Sequence, residues 1–127
     1  MLNSHEVNCL GNIINHTWGK SSLNQDGSNS VTCRLKDDIL SIQFQTVVYF
    51  ASENSLREQT PRLANESIQV LSNALTSLKA KFKDSSGTSL SISEVSNNDD
   101  IELISSTVNN PRKIAYYRRR INFKIGN

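Results

Sequence analysis

At 127 residues the chain has the length for one domain spanning 1–127, while its 36% hydrophobic fraction is low beside 20% charged residues. The formal net charge of +2 is too mild to point to nucleic acid by itself, and no stretch approaches the 18 or so apolar residues of a membrane span. Asn and Ser are abundant, yet the apolar residues fall in periodic runs, which excludes a disordered chain.

The first residues have neither the basic start nor the unbroken apolar run of a secretory leader. Cys9 and Cys33 lie in different predicted elements, so free, reduced thiols and a cytoplasmic setting are expected. The sequons at Asn15 and Asn65 are then chance matches.

Residues 3–18 read as a helix: Asn3 and Glu6 have capping-box spacing, and Val7, Leu10, Ile14 and Trp18 form its stripe, with Ile13 beside it. Gly11 weakens this helix and Gly19 stops it. Residues 21–30 form a polar loop. A hairpin follows, in which Val31, Cys33 and Leu35 alternate with polar residues before Asp37-Asp38 turns the chain. From Ile39 to Ala51, Leu40, Ile42, Phe44, Val48 and Phe50 share one face while Ser41, Gln43 and Gln45 point the other way. Such alternation predicts a half-buried antiparallel strand.

The clearest periodic signal is Thr60 to Lys83, where Ala64, Ile68, Leu71, Leu75, Leu78 and Phe82 are spaced 4, 3, 4, 3, 4. Thr60 as cap and Pro61 as first helical residue predict a helix over 61–83, about 34 Å long, that covers a sheet. Upstream, Ser55 and Glu58 offer another capping-box pattern. After the helix, residues 89–95 and 101–108 read as two strands joined by a turn at Ser96 to Asp100, with a further turn at Asn109-Asn110-Pro111. The last strand, Ile114 to Ile125, sets Ala115, Tyr117, Ile121, Phe123 and Ile125 on one side, interrupted by Arg119. The expected architecture is α+β in the order α-β-β-α-β-β-β, a mostly antiparallel sheet of about five strands packed on the long helix, plus the N-terminal helix.

Motifs with site chemistry are thin. Gly19-Lys20-Ser21 imitates the end of a phosphate-binding loop, but Ile14 stands where the first glycine belongs and a helix ends there. His5, Cys9, His16 and Cys33 are the only soft metal ligands and lack the paired spacing of zinc modules. A Cys–His nucleophile lacks any local motif for its orienting group or oxyanion pocket. Asp37-Asp38 and Asp99-Asp100 fall at expected turns, where Asp makes local hydrogen bonds. No catalytic, cofactor or metal residue is expected, and the chain is not expected to be an enzyme.

One feature stands out. No acidic residue follows Glu102, while Arg112, Lys113, Arg118, Arg119, Arg120 and Lys124 crowd the end of the chain. Arg118, Arg120 and Lys124 share a strand face beside Tyr116, with Arg112 and Lys113 at the preceding turn. These six residues (Arg112, Lys113, Tyr116, Arg118, Arg120 and Lys124) read as a contact surface for an acidic protein or a phosphate backbone. The competing reading is an edge strand whose charges block unwanted pairing. Tyr and Arg are typical interface residues, which favours contact, and the missing recognition-helix motif favours protein over DNA.

Several stretches also carry a resemblance: Leu10-Gly11-Asn12-Ile13-Ile14, TWGKSSLNQDGSNSVTCRLKDD at 17–38, QTPRLANESI at 59–68 and RKIAYYRR at 112–119. Together they resemble small virion structural proteins of contractile-tailed phages of marine cyanobacteria. The order of elements is similar to that of tail-terminator and neck proteins, which typically form rings. The resemblance implies a virion component assembled in the host cytoplasm, with other virion proteins as partners, a homo-oligomeric state, no cofactor and only secondary DNA contact. It also implies that the polar sheet face, with Gln43, Gln45, Arg118 and Arg120, meets neighbours. The alternative function is a small nucleic-acid-binding accessory protein using the basic C-terminal strand.

Overall fold

The computed structural model describes residues 2–19, 30–50, 52–104 and 113–126. The elements run α1 (Ser4–Gly19), β1 (Ser30–Lys36), β2 (Ile39–Phe50), α2 (Glu53–Ser86), β3 (Ser91–Ile104) and β4 (Lys113–Gly126). The strands form an antiparallel sheet in the order β1-β2-β4-β3. The α+β class holds, and the described residues form four strands in place of the expected five, in the order α-β-β-α-β-β. The loop expected at 21–30 lies outside the described residues except for Ser30, which opens β1; Ala51, residues 105–108 of the expected strand and the turn expected at 109–111 also lie outside them.

α1 begins as its sequence dictates. Asn3 Oδ1 accepts from the Glu6 N–H at 2.9 Å, and Glu6 Oε1 accepts from the Asn3 N–H at 3.3 Å, a reciprocal capping box. Val7, Leu10, Ile14 and Trp18 are buried, and Ile13 is exposed beside them. Gly11 sits where α1 approaches β1: a Cβ there would lie 3.5 Å from the Cys33 side chain. β1 and β2 join through a two-residue turn, with Asp37 at φ 57 and Lys36 opposite Ile39.

α2 is longer than its stripe. Ser52 caps it, accepting from the Ser55 N–H at 3.2 Å, so the helix starts before the expected Thr60-Pro61 signal. Pro61 lies inside the helix. Its missing N–H cannot serve the Arg57 carbonyl, and both residues are exposed, where water can serve instead. Thirty-four residues give a rod of about 51 Å. Gly87 closes it in the left-handed conformation, φ 75, donating to the Lys83 carbonyl at 2.9 Å.

The buried face of α2 is rotated by about one residue from the expected stripe. Leu63, Ser67, Val70, Leu71, Ala74, Leu78 and Phe82 are buried, Ala64 and Leu75 only half so, and Ile68 is 46% exposed. Ser67 and Ala74 are small enough for α2 to pack closely, and Ser67 Oγ satisfies itself on the Ala64 carbonyl at 2.8 Å. α2 meets α1 as well as β2 and β4, and α1 lies against β1. Both helices therefore cover one sheet face. Leu40, Ile42, Phe44, Val48, Tyr117, Ile121, Phe123 and Ile125 fill the layer between.

The largest correction concerns β3. Residues 96–100 are not a turn between two strands: the chain runs through them as one strand paired to β4, with a bulge between Glu94 and Ser96. Local turn preference yields because β4 offers cross-strand partners. Asp99 stands opposite Arg119, Asp100 opposite Arg118 and Asn98 opposite Arg120.

Candidate functional site: the open face of the sheet

Alternation along four strands produces a second face that no described element covers. β2 and β4 lie at the centre of the sheet, so each presents alternate residues to both sides. The open side carries Ser41, Gln43, Gln45, Val47 and Tyr49 from β2, and Tyr116, Arg118, Arg120, Asn122 and Lys124 from β4. β1 adds Thr32 and Arg34, and β3 adds Ser96, Asn98 and Asp100.

These side chains form cross-strand rows. In one, Ser41 Oγ donates to Asn122 Oδ1 at 2.6 Å while Asn122 Nδ2 donates to Ser96 Oγ at 2.7 Å, so three strands are tied together. In the next, Arg120 donates through Nη2 and Nε to Gln43 Oε1 at 2.7 and 3.2 Å. The glutamine fixes the guanidinium without neutralising it. In the third row, Gln45, Arg118 and Asp100 stand opposite one another in register. The Arg118 guanidinium carbon lies 5.4 Å from the Tyr116 ring centre, within cation–π range.

The rows border two shallow recesses. One, of about 370 Å³, is lined by Gln43, Asn98, Asp99, Asp100, Arg118 and Arg120. The other, of about 640 Å³, is lined by Thr32, Arg34, Ser41, Gln43, Arg120 and Asn122. Gln43 and Arg120 are common to both.

Of the sequence-predicted contact residues, Tyr116, Arg118, Arg120 and Lys124 lie on this face. Lys124 stands apart at the end of the sheet, 3.9 Å from Asp38 in an exposed ion pair that contributes little. Lys113 opens β4, and Arg112 lies outside the described residues. Gln43 and Gln45 lie on it as expected, whereas Arg34, Asn98 and Asp100 join the face unforeseen. They come from β1 and β3, and only strand order brings them to this surface. The one available signal was parity, since Arg34 alternates with core residues of β1.

The soft ligands do not converge. His5 Nε2 and Cys9 Sγ are 3.6 Å apart on the exposed side of α1, whereas Cys33 faces Gly11 across the α1–β1 contact. Among the described residues no three His, Cys, Asp or Glu side chains gather as a metal site would need. Gly19 ends α1, and Lys20 and Ser21 lie outside the described residues. No described helix is long and apolar enough to cross a membrane.

Burial pushes the Cys33 thiol up from 9.0 to about 11. Its folded form keeps the proton after the unfolded chain has lost it, so stability falls as pH rises from about 9 to about 11. Iodoacetamide at neutral pH should alkylate exposed Cys9 and leave Cys33 at least about tenfold slower until the chain unfolds. Equal rates in a mass-spectrometric time course would place Cys33 on the surface.

Comparison with protein-family models, with curated proteins and with solved structures finds no match to this chain.

Proposed function

We propose that the chain is a virion structural protein, a neck or tail component of a contractile-tailed phage, that works through protein–protein contacts made by the open face of its sheet. The observation that carries the contact role is that face: a four-stranded surface uncovered by described elements, with Arg120, Asn122, Ser41 and Ser96 already held in hydrogen-bonded rows. Side chains ordered before binding lose less conformational entropy on contact, which suits recognition of a polar or acidic protein surface. The place in a particle rests on the sequence resemblance.

Protein is favoured over DNA because the positive charge is diluted where it is densest. On this face Asp100 stands opposite Arg118 and lines the same recess as Arg118 and Arg120. A phosphate-tracking surface would leave such arginines without acidic neighbours.

Arg118→Glu/Arg120→Glu should fold normally by circular dichroism yet disappear from purified particles in a complementation assay read by mass spectrometry. Incorporation at the wild-type level, or absence of the wild-type chain from particles, would overturn the proposal. A salt titration of labelled DNA by fluorescence anisotropy tests the accessory-protein alternative. Steep salt dependence that weakens in the same variant would replace the protein-contact reading.

A further inference from the structure

The two edges of the sheet are unlike each other in a way that suits them to one another. β1 is one edge and β3 the other, and among the described residues no strand pairs with the outer side of either. β1 carries Arg34 and Lys36 and no acidic residue. β3 carries Glu94, Asp99, Asp100 and Glu102 and no basic one. We infer that the β1 edge of one copy pairs with the β3 edge of the next, extending the sheet head-to-tail through a second copy of this chain.

Strand direction permits it. All neighbours in the order β1-β2-β4-β3 are antiparallel, so β1 and β3 run oppositely. A second copy placed beside β3 in the same orientation therefore continues the alternation and keeps its helices on the same side. The bulge between Glu94 and Ser96 blunts the first part of the β3 edge, leaving the stretch from Asn97 to Ile104 regular. In the register below it takes five of the seven residues of β1, Thr32 to Lys36, opposite positions 104 to 100.

One register satisfies both faces. With Lys36 opposite Asp100, their charges meet on the open side, and Arg34 falls opposite position 102, where the sequence has Glu. Leu35 then falls opposite Ile101 on the core side. Each is only partly buried against the core within one copy, and the pairing completes their burial.

The same charges oppose the symmetric alternatives. Joining β1 to β1 sets Arg34 and Lys36 against their own kind, and joining β3 to β3 does so with acidic residues. Charged edges commonly serve only to prevent pairing, but edges of opposite sign repel themselves and attract each other. A contact of this heterologous type closes into a ring or extends as a filament, according to the rotation between copies.

Sedimentation velocity on the purified chain tests the inference. The wild type should associate with rising concentration and dissociate with rising salt. Arg34→Glu/Lys36→Glu and Asp100→Lys/Glu102→Lys should each weaken association by about tenfold or more while staying folded by circular dichroism, the second with a lower melting point because it sets a lysine opposite Arg118. Mixing the two variants should restore association, because each then offers the edge the other lacks. A wild type that stays monomeric at every concentration, variants that associate as the wild type does, or a mixture that stays dissociated would each overturn it. Arg120→Glu, which alters the open face and neither edge, should leave self-association intact. Particle incorporation of that variant separates failure of the edge pairing from failure of the open-face contact.

Discussion

Trp18→Ala should destabilise the fold by about 3–5 kcal/mol, the usual cost of truncating a fully buried aromatic residue. Trp18 is 0% exposed and meets Phe44 edge-on, with ring centres 5.1 Å apart at 71°. Its Nε1 donates to the Gln45 carbonyl at 3.3 Å, tying the last turn of α1 to the central strand β2. The substitution therefore removes packing and the helix–sheet tie together, a large part of the stability of a chain this size. Trp18→Phe keeps most of the volume and loses the N–H, so it should cost about 1–2 kcal/mol. Urea unfolding followed by circular dichroism reads both. A loss below about 1 kcal/mol for the alanine variant would mean that α1 is not docked through Trp18.

Asp99→Ala should cost about 2 kcal/mol, whereas Arg119→Met should be neutral or stabilising. Arg119 interrupts the apolar side of β4, its side chain only 11% exposed, with Asp99 3.8 Å away and 45% exposed. Its Nε, and the Tyr117 hydroxyl nearby, are buried with no hydrogen-bond partner of good geometry among the described residues. Burial pushes the Tyr117 phenol above its ordinary range, while Arg119 and Ser67 beside it hold it back in part. Removing Asp99 strips a largely buried cation of its counter-charge. Removing Arg119 relieves the desolvation of that cation and its unsatisfied N–H, and Met fills the space. The half exposure of Asp99 keeps the first figure below that of a fully buried pair. In the double variant the cost of losing Asp99 should vanish, and a double-mutant cycle measures that coupling. Additive effects would show that the two side chains do not interact.

The candidate site was legible along β4 and not across the sheet. Tyr116, Arg118 and Arg120 share a face because alternation within one strand is a local property. Gln43 and Asn98 reach Arg120 from β2 and β3 through a strand order that no short-range pattern encodes. Turn preference misplaced Asp99 and Asp100 for a related reason: Asn-Asn-Asp-Asp favours a turn in isolation, and the arginines of β4 outbid it once the strands meet. In α2, hydrophobicity alone selected Ile68, whereas close packing against α1 and the sheet selected Ser67 and Ala74.

By itself the sequence determined what depends on neighbours in the chain. The Asn3–Glu6 cap, the helical stripe of α1, the left-handed stop at Gly87 and the in–out alternation of β2 and β4 follow from backbone hydrogen bonding and side-chain period within a few residues. Tertiary structure decided the rest: which strands adjoin, which row of α2 faces inward, and that residues 96–100 extend rather than turn. Those outcomes depend on contacts between residues far apart in sequence, formed only when the whole sheet assembles. The open face and the two oppositely charged edges belong to this second class.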